Sequence, residues 1–237
     1  MKILLAATLL MSVSIQAFAN DKIIIGKDDR YRVTEKSKTS IHNSIGLLLL
    51  FNNKGTSASC TGTIISKRHV LTAAHCLIDE DGNEFTPYFL PGVNQDLTKN
   101  LSSPGGTFKG VRQAIYPPYY YDSTALNDVA IIEVEGDLPY APLQIAEFQN
   151  DRDLAIAGYP GDKTLGTQWE SKGRKALLIK NGHKLDTKGG QSGSAIRNKS
   201  NKIVGVHSGG IDLGLTKWNV FAPLDAQIIN FLKGEMK

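Results

Sequence analysis

The chain has 237 residues, of which 41% are hydrophobic, 21% charged and 8% aromatic. This balance is typical of a soluble globular protein and excludes a disordered or fibrous chain. The formal net charge of +4 is small and evenly spread, so it does not indicate nucleic acid as a partner.

The first residues have the pattern of a secretory signal. Lys2 precedes an apolar run, and Ala17, Phe18 and Ala19 form a small-x-small cleavage site. We therefore predict a signal peptide over residues 1–19, whose removal with Lys2 would lower the formal charge from +4 to +3. No later apolar run approaches the roughly 20 residues of a spanning helix. The mature protein is expected to be secreted, or periplasmic in a cell with an outer membrane, and to have no membrane contact.

Short runs rich in β-forming residues follow, separated by Asn-Gly, Asp-Gly and Pro-Gly turns. They cover residues 44–51, 61–66, 69–73, 129–134, 154–158, 176–179, 203–207 and 218–222. The spacing predicts an antiparallel barrel or sandwich. After Pro223, apolar residues recur on one helical face, which predicts a C-terminal helix over residues 223–233.

Residues 136–150 interrupt the strand pattern with glycine and prolines, and we predict that they cross between two halves, 23–135 and 151–222. Both cysteines, Cys60 and Cys76, lie in the first half. Two cysteines suit one disulfide in an oxidising compartment, worth roughly 3 kcal/mol if formed. Two buried free thiols are the alternative.

Three dispersed segments carry side chains for nucleophilic catalysis. His75 ends a β-type run, Asp128 stands at the start of an apolar strand, and Ser192 is flanked by glycines. Each has a structural explanation alone: a packed histidine, an aspartate that caps a strand, or a Gly-Ser linker. Together they supply base, orienting acid and nucleophile, in the chain order of the chymotrypsin type.

With these segments the chain resembles the trypsin-fold serine proteases, and specifically the secreted bacterial glutamyl endopeptidases of the V8 type. The resemblance rests on IGKDDR (25–30), TAAHC (72–76), NDVA (127–130), GYPGDK (158–163), WESKG (169–173), GGQSGS (189–194) and GVHSGG (205–210). It implies an all-β fold of two antiparallel six-stranded β-barrels packed face to face, with a C-terminal α-helix and the catalytic cleft between the barrels.

The resemblance also implies a role for each residue of the motifs. Ser192 would attack the scissile carbonyl, His75 would act as the base, and Asp128 would orient His75. The N–H groups of Gly190 and Ser192 would form the oxyanion hole. Ser194 is a rival nucleophile, but the strand that resumes after it is expected to bury it.

Two further features follow from the same resemblance. Ser208 would support Asp128 by a hydrogen bond. A bridge between Cys60 and Cys76 would fix the turn that carries His75.

The resemblance implies that Thr187 and a partly protonated His207 line the pocket for a substrate glutamate. Ser208, Gly209 and Gly210 are predicted to complete the substrate-binding residues. Asp186 leaves an alternative open, because it lies six positions before Ser192, where trypsin-type enzymes place the aspartate that selects Arg or Lys. An acidic side chain in the pocket would repel a glutamate.

The segment before the strands bears on activation. Gln191 stands where trypsin-type zymogens have the aspartate that pairs with a new N-terminus, so that ion pair cannot form. In V8-like enzymes the free amine reaches the substrate pocket instead, and the aligned start is Ile23. We hypothesise that residues 20–22 form a short pro-segment, removed by a cut after Lys22.

These features predict a monomeric serine endopeptidase that acts on protein or peptide substrates. Neither a metal nor another cofactor is expected, and nucleic acid is not expected as a partner. A second hypothesis, from another class, is an inactive homologue that acts as a binding or toxin-like protein; the three filled catalytic positions argue against it.

Overall fold

A computed structural model of the protein describes residues 23–79, 81–100, 102–177, 179–212 and 217–237. The predicted signal peptide (1–19) and pro-segment (20–22) lie outside these residues. The strands are β1 (Tyr31–Arg32), β2 (Ile45–Phe51), β3 (Ser57–Ile64), β4 (His69–Thr72), β5 (Thr86–Pro91), β6 (Phe108–Ile115), β7 (Ala130–Val134), β8 (Asp153–Gly158), β9 (Trp169–Arg174), β10 (Gly182–His183), β11 (Ala195–Asn198), β12 (Ile203–Asp212) and β13 (Lys217–Pro223). The helices are α1 (Ser40–Asn43), α2 (Ala226–Glu235) and two 3₁₀ turns, Ala74–Cys76 and Pro117–Tyr120.

The first half of the chain forms a closed antiparallel barrel in the strand order β2-β3-β4-β7-β6-β5. Strand β2 is buried on both faces, which explains its nearly continuous apolar sequence. Leu48 and Leu50 point into the barrel core, whereas Leu47 and Leu49, on the other face, pack with Ala157 of the second half. One strand therefore contributes to the barrel core and to the contact between the halves.

The second half forms a seven-stranded sheet in the order β1-β9-β8-β11-β12-β13-β10. The sheet closes between the end of β9 and β10, since Lys184 N donates to Arg174 O (2.9 Å) and Ala176 N donates to Gly182 O (2.8 Å). The expected all-β fold of two facing barrels is confirmed. Strand β1 pairs with β9, so the start of the described chain lies on the second barrel, although it precedes the first barrel in sequence.

The connection over residues 136–150 contacts both barrels. Leu143 N donates to Ile64 O of the first barrel (2.9 Å), and Ala146 N donates to Ile203 O of the second (2.8 Å). The segment predicted as a strand over residues 176–179 is not a strand at its described positions; Ala176 N donates to Gly182 O, and Gly182 N donates to Ile179 O in the turn that follows.

Helix α2 begins three residues later than the pattern predicts. Asp225 is extended and accepts a hydrogen bond from Ile228 N (2.9 Å), so it caps the helix at Ala226. Ile228 and Leu232 pack into the core of the first barrel, so the end of the chain returns to its first half. In the part of the chain described, no helix is long and apolar enough to span a membrane.

The two cysteines form the predicted disulfide. Cys60 lies on β3 and Cys76 lies in the 3₁₀ turn after β4, and both are fully buried. The bridge spans 16 residues and holds the turn that contains His75 against β3.

Replacing both cysteines by alanine should lower the free energy of unfolding by about 3 kcal/mol, because the bridge restricts the unfolded chain. Denaturant unfolding followed by circular dichroism measures the change. Reduced wild-type protein is the control, because it keeps both sulfur atoms. Equal unfolding midpoints for the oxidised, reduced and double-alanine proteins would contradict a stabilising bridge.

Candidate active site

His75 and Asp128 are brought together by the pairing of β4 with β7. These strands are antiparallel, with Thr72 opposite Ala130, so the turn after β4 lies beside the residues before β7. His75 Nδ1 lies 2.6 Å from Asp128 Oδ2, and the backbone N–H of His75 donates to Asp128 Oδ1 (3.0 Å). Ser208 Oγ of β12 donates to Asp128 Oδ2 from the second barrel (2.5 Å).

The pair favours an ionised carboxylate beside an imidazole that can take a proton. Burial opposes the charge of Asp128, but the His75 ring and the hydrogen bonds from His75 and Ser208 lower its pKa. Burial also opposes the charged form of His75, and the negative charge of Asp128 outweighs it and raises the pKa of His75. An ionised Asp128 accepts a hydrogen bond from the N–H at Nδ1 of neutral His75. Nε2 of His75 is then the basic atom.

Ser192 lies on a tight turn that approaches the same place from the second barrel. Its carbonyl oxygen accepts a hydrogen bond from Thr61 N (2.8 Å). The next residue, Gly193, has φ +80°, and a Cβ there would lie 2.1 Å from Thr72 Oγ1. The turn therefore lies against the end of β4, just before His75. Ser192 is 8% exposed, whereas Ser194 is completely buried, as expected from the strand that follows it.

The geometry of this turn requires glycine at position 190. Gly190 has φ +93°, and a Cβ there would lie 2.4 Å from the carbonyl oxygen of Tyr159. Hydrogen bonds from Gly161 N to Gly189 O (2.6 Å) and from Gln191 N to Lys188 O (3.0 Å) hold the turn. Among the described residues, the N–H groups of Gly190 and Ser192 donate to no backbone carbonyl. Both donors are therefore available to an oxygen in the cleft.

Thr187 and His207 are both buried, and the backbone of His207 is bound to the Ser192 turn. His207 O accepts from Gly193 N (2.9 Å), and His207 N donates to Ser194 O (2.9 Å). Burial, followed by the charge of His75, lowers the pKa of His207 to about 4. The sequence predicts a partly protonated His207, whereas a pKa this low favours a neutral imidazole at pH 7 in the substrate-free protein.

A second buried histidine, His183, lies behind His207 and was not identified from the sequence. Its Nε2 lies 3.3 Å from His207 Nδ1, and its Nδ1 accepts a hydrogen bond from Leu185 N (3.3 Å). Burial and the neighbouring His207 lower the pKa of His183 well below its ordinary value. The backbone N–H of Leu185 fixes the proton of His183 on Nε2, which donates to His207 Nδ1. His207 therefore carries its own proton on Nε2. No motif marks His183, since its partner is 24 residues away.

Asp186 is engaged by the start of the described chain. Its Oδ1 accepts from Ile25 N (2.7 Å) and its Oδ2 accepts from Asp29 N (2.8 Å). The side chain is thus held by residues 25–29, and both carboxylate oxygens are occupied. This arrangement opposes the alternative in which Asp186 binds a basic substrate side chain.

Gly209 and Gly210 lie on a stretch of β12 with one open edge. They pair with Val220 and Asn219 of β13, whereas on the other side the described pairing with β11 ends at Val206. The open edge begins beside Ser208, which contacts Asp128. An extended peptide can add to such an edge through its backbone.

One group of side chains in the described part of the chain has the spacing of a metal site. It consists of Cys60, His75 and Cys76, whose ligand atoms lie within 4.8 Å of one another. The two sulfur atoms are bonded to each other, so they cannot act as thiolate ligands.

Residues 36–231 match the trypsin family. The chain belongs to this family. Among its relatives is the glutamyl endopeptidase of Bacillus licheniformis, 33% identical over 188 residues, which cover 76% of this chain and 56% of that protein. The glutamyl endopeptidase of Staphylococcus aureus strain MRSA252 is 26% identical over 224 residues, covering 89% of this chain and 58% of the relative. The trypsin-family chain thus spans less than two thirds of the length of these relatives.

Solved structures show the same similarity. A Glu endopeptidase in complex with MPD aligns with a TM-score of 0.74 and 25% identity, and the alignment covers 90% of this chain and 99% of that one. A thermostable serine protease, AL20, from an extremophilic microorganism shares the fold, with a TM-score of 0.67 and 17% identity over 81% of this chain and 96% of that one.

The His75–Asp128 pair predicts a pH dependence for attack by Ser192. Neutral His75 is the base, so the rate should rise with pH through the raised pKa of His75 and reach a plateau above it. The rate of covalent labelling by a fluorophosphonate, measured from pH 4 to 9, tests this. Asp128→Asn should move the midpoint to lower pH and reduce the plateau by roughly 10⁴-fold. A rate that is undiminished at pH 4 would contradict the assignment of the base.

Proposed function

We propose that this trypsin-family chain is an exported serine endopeptidase that hydrolyses peptide bonds, with a preference for glutamate before the cleaved bond. The observation that carries the proposal is the short contact between His75 Nδ1 and buried Asp128, formed beside the tight turn that carries Ser192. A base, its orienting acid and a nucleophile meet at the junction of the two barrels, where an extended peptide can reach them.

In the proposed reaction, Ser192 Oγ attacks the scissile carbonyl carbon while His75 Nε2 takes the hydroxyl proton. The resulting oxyanion accepts hydrogen bonds from the N–H groups of Gly190 and Ser192. Collapse of the tetrahedral intermediate breaks the C–N bond, and the proton on His75 passes to the leaving amine. A water molecule, activated by the same imidazole, then hydrolyses the acyl-enzyme and restores Ser192.

The proposed glutamate preference rests on the polarity of the pocket. We assign the proton of His207 to Nε2, because His183 occupies its Nδ1; this imidazole also interacts with the backbone of Val220, and Thr187 would add a hydroxyl. An N–H and an O–H are suitable donors for a carboxylate. A bound glutamate also stabilises protonated His207 and raises the pKa of that imidazole from its low value. A cationic substrate side chain would find no negatively charged partner among the residues assigned to this pocket, and its burial there would be costly.

Export is supported by the buried disulfide, which is stable in oxidising compartments, together with the signal-like pattern of residues 1–19. Proteins or peptides are the proposed substrates. A monomeric state remains a prediction.

The nucleophile is tested by Ser192→Ala. This variant should lose both peptide hydrolysis and labelling by diisopropyl fluorophosphate, because it removes the proposed nucleophile, and the nearby hydroxyl of Ser208 is bonded to Asp128. Ser194→Ala is the matched control: it removes a hydroxyl two residues away that is completely buried and has no hydrogen-bond partner among the described residues. Mass spectrometry of the labelled peptide locates the adduct. Folded wild-type protein that takes no label would instead support the inactive-homologue hypothesis.

The specificity is tested with peptides that differ only in the residue before the cleaved bond. The expected kcat/KM for Glu exceeds that for Gln and for Arg by roughly 10²-fold, because hydrogen bonds to a charged carboxylate are stronger than those to the neutral amide of Gln, and Arg presents only donors to the donors of the pocket. His183→Phe keeps a buried ring but removes the donor to His207, and should reduce the Glu preference by about tenfold. A higher kcat/KM for Arg than for Glu would refute the proposed pocket.

A further inference from the structure

The side chain of Asp186 and the start of the described chain are joined by a set of hydrogen bonds that the proposed chemistry does not use. Asp186 accepts from the backbone N–H groups of Ile25 and Asp29, at 2.7 and 2.8 Å. Asp186 is only 1% exposed, so a buried carboxylate is satisfied here by backbone donors that lie more than 150 residues away in sequence. A buried charge without such donors would be costly.

Residues 25–29 are also linked to Asp186 through the hydroxyl of Ser171. Asp29 Oδ1 accepts from Ser171 Oγ (2.7 Å), and Ser171 Oγ accepts from Asp186 N (3.1 Å). Asp29, Ser171 and Asp186 therefore form a closed ring of hydrogen bonds. Each member fixes the next, so the position of Asp186 and the path of residues 25–29 depend on each other.

Six residues before Asp29, Ile23 lies against the segment 185–187, which we call the pocket wall. It is 2% exposed, and its carbonyl oxygen accepts from Thr187 N (3.3 Å) and from Asn219 Nδ2 (3.0 Å). Asn219 Nδ2 also donates to Leu185 O (2.7 Å). The wall segment 185–187 is thus held at Leu185 by Asn219, at Asp186 by residues 25 and 29, and at Thr187 by Ile23.

We propose that Asp186 is a positioning residue for the substrate pocket: it seats residues 23–29 on the second barrel and so fixes Thr187, the residue assigned with His207 to that pocket. The inference rests on the proposed function, because it assigns Thr187 to the glutamate pocket. Asp186 thus sets specificity indirectly, through the shape of an anionic pocket, and does not bind a basic substrate side chain. Gln191 is uncharged and cannot form an ion pair with the start of the chain. Asp186 instead binds the backbone N–H groups of Ile25 and Asp29.

The experiment compares Asp186→Asn with Ile25→Pro, which removes one of the two backbone donors and leaves Asp186 intact. Asp153→Asn is the matched control, since Asp153 is an exposed carboxylate on β8 of the same barrel. For each protein, kcat and KM are measured with the Glu and Gln peptides, and the rate of labelling by diisopropyl fluorophosphate is measured in parallel. Labelling needs Ser192 and His75 but places no carboxylate in the pocket.

Both Asp186→Asn and Ile25→Pro should raise KM for the Glu peptide by roughly tenfold, while kcat and the labelling rate stay within about twofold of wild type. The double variant should be no worse than the poorer single variant, because both changes break the same link. Asp153→Asn should behave as wild type. If Asp186→Asn fails to fold, Ile25→Pro alone decides the result.

Wild-type KM in the folded variants would overturn the role of Asp186 and leave the proposed function intact. A labelling rate that falls as much as kcat/KM would also overturn the role of Asp186. The substitution would then disturb the nucleophile and base as well as the pocket. Wild-type protein that neither labels nor cleaves the Glu peptide would overturn the proposed function itself.

Discussion

The buried carboxylate of Asp128 binds hydrogen-bond donors from both barrels. Its two oxygens accept three hydrogen bonds, two from His75 in the first barrel and one from Ser208 in the second. A buried carboxylate is tolerated only when such donors satisfy it. The need to satisfy this carboxylate therefore holds the turn after β4, the start of β7 and the Ser208 region of β12 close together. The Ser192 turn lies beside them.

Within the described part of the chain, the two buried aspartates, Asp128 and Asp186, have different partners. Asp128 faces an imidazole, so its charge raises the pKa of His75 and prepares that ring to take a proton. Asp186 accepts from backbone N–H groups, which do not titrate at ordinary pH and cannot serve as acid or base, so its hydrogen bonds hold a segment of chain in place. The partner of each carboxylate thus decides whether the charge serves acid-base chemistry or position.

The sequence predicted those features whose signals are local. The Gly-Gly-Gln-Ser-Gly run, the residues around His75 and the two cysteines each form short motifs, and the all-β fold with facing barrels follows from their family resemblance. His183 and the partners of Asp186 could not be found in this way, because hydrogen bonds join them to residues that are remote in the chain. The neutral state of His207 likewise depends on its burial by the folded barrel, which a motif does not record.

The central claim is that one cleft holds the nucleophile, the oxyanion donors and a pocket for glutamate. Its most direct test is a crystal structure of the protein inactivated by a peptidyl phosphonate with a glutamate side chain at its first position. We predict a bond between phosphorus and Ser192 Oγ, a phosphoryl oxygen bound by the N–H groups of Gly190 and Ser192, and a side-chain carboxylate on His207 Nε2 and the Thr187 hydroxyl. An adduct on another residue, or a carboxylate that points away from His207 into solvent, would contradict the account.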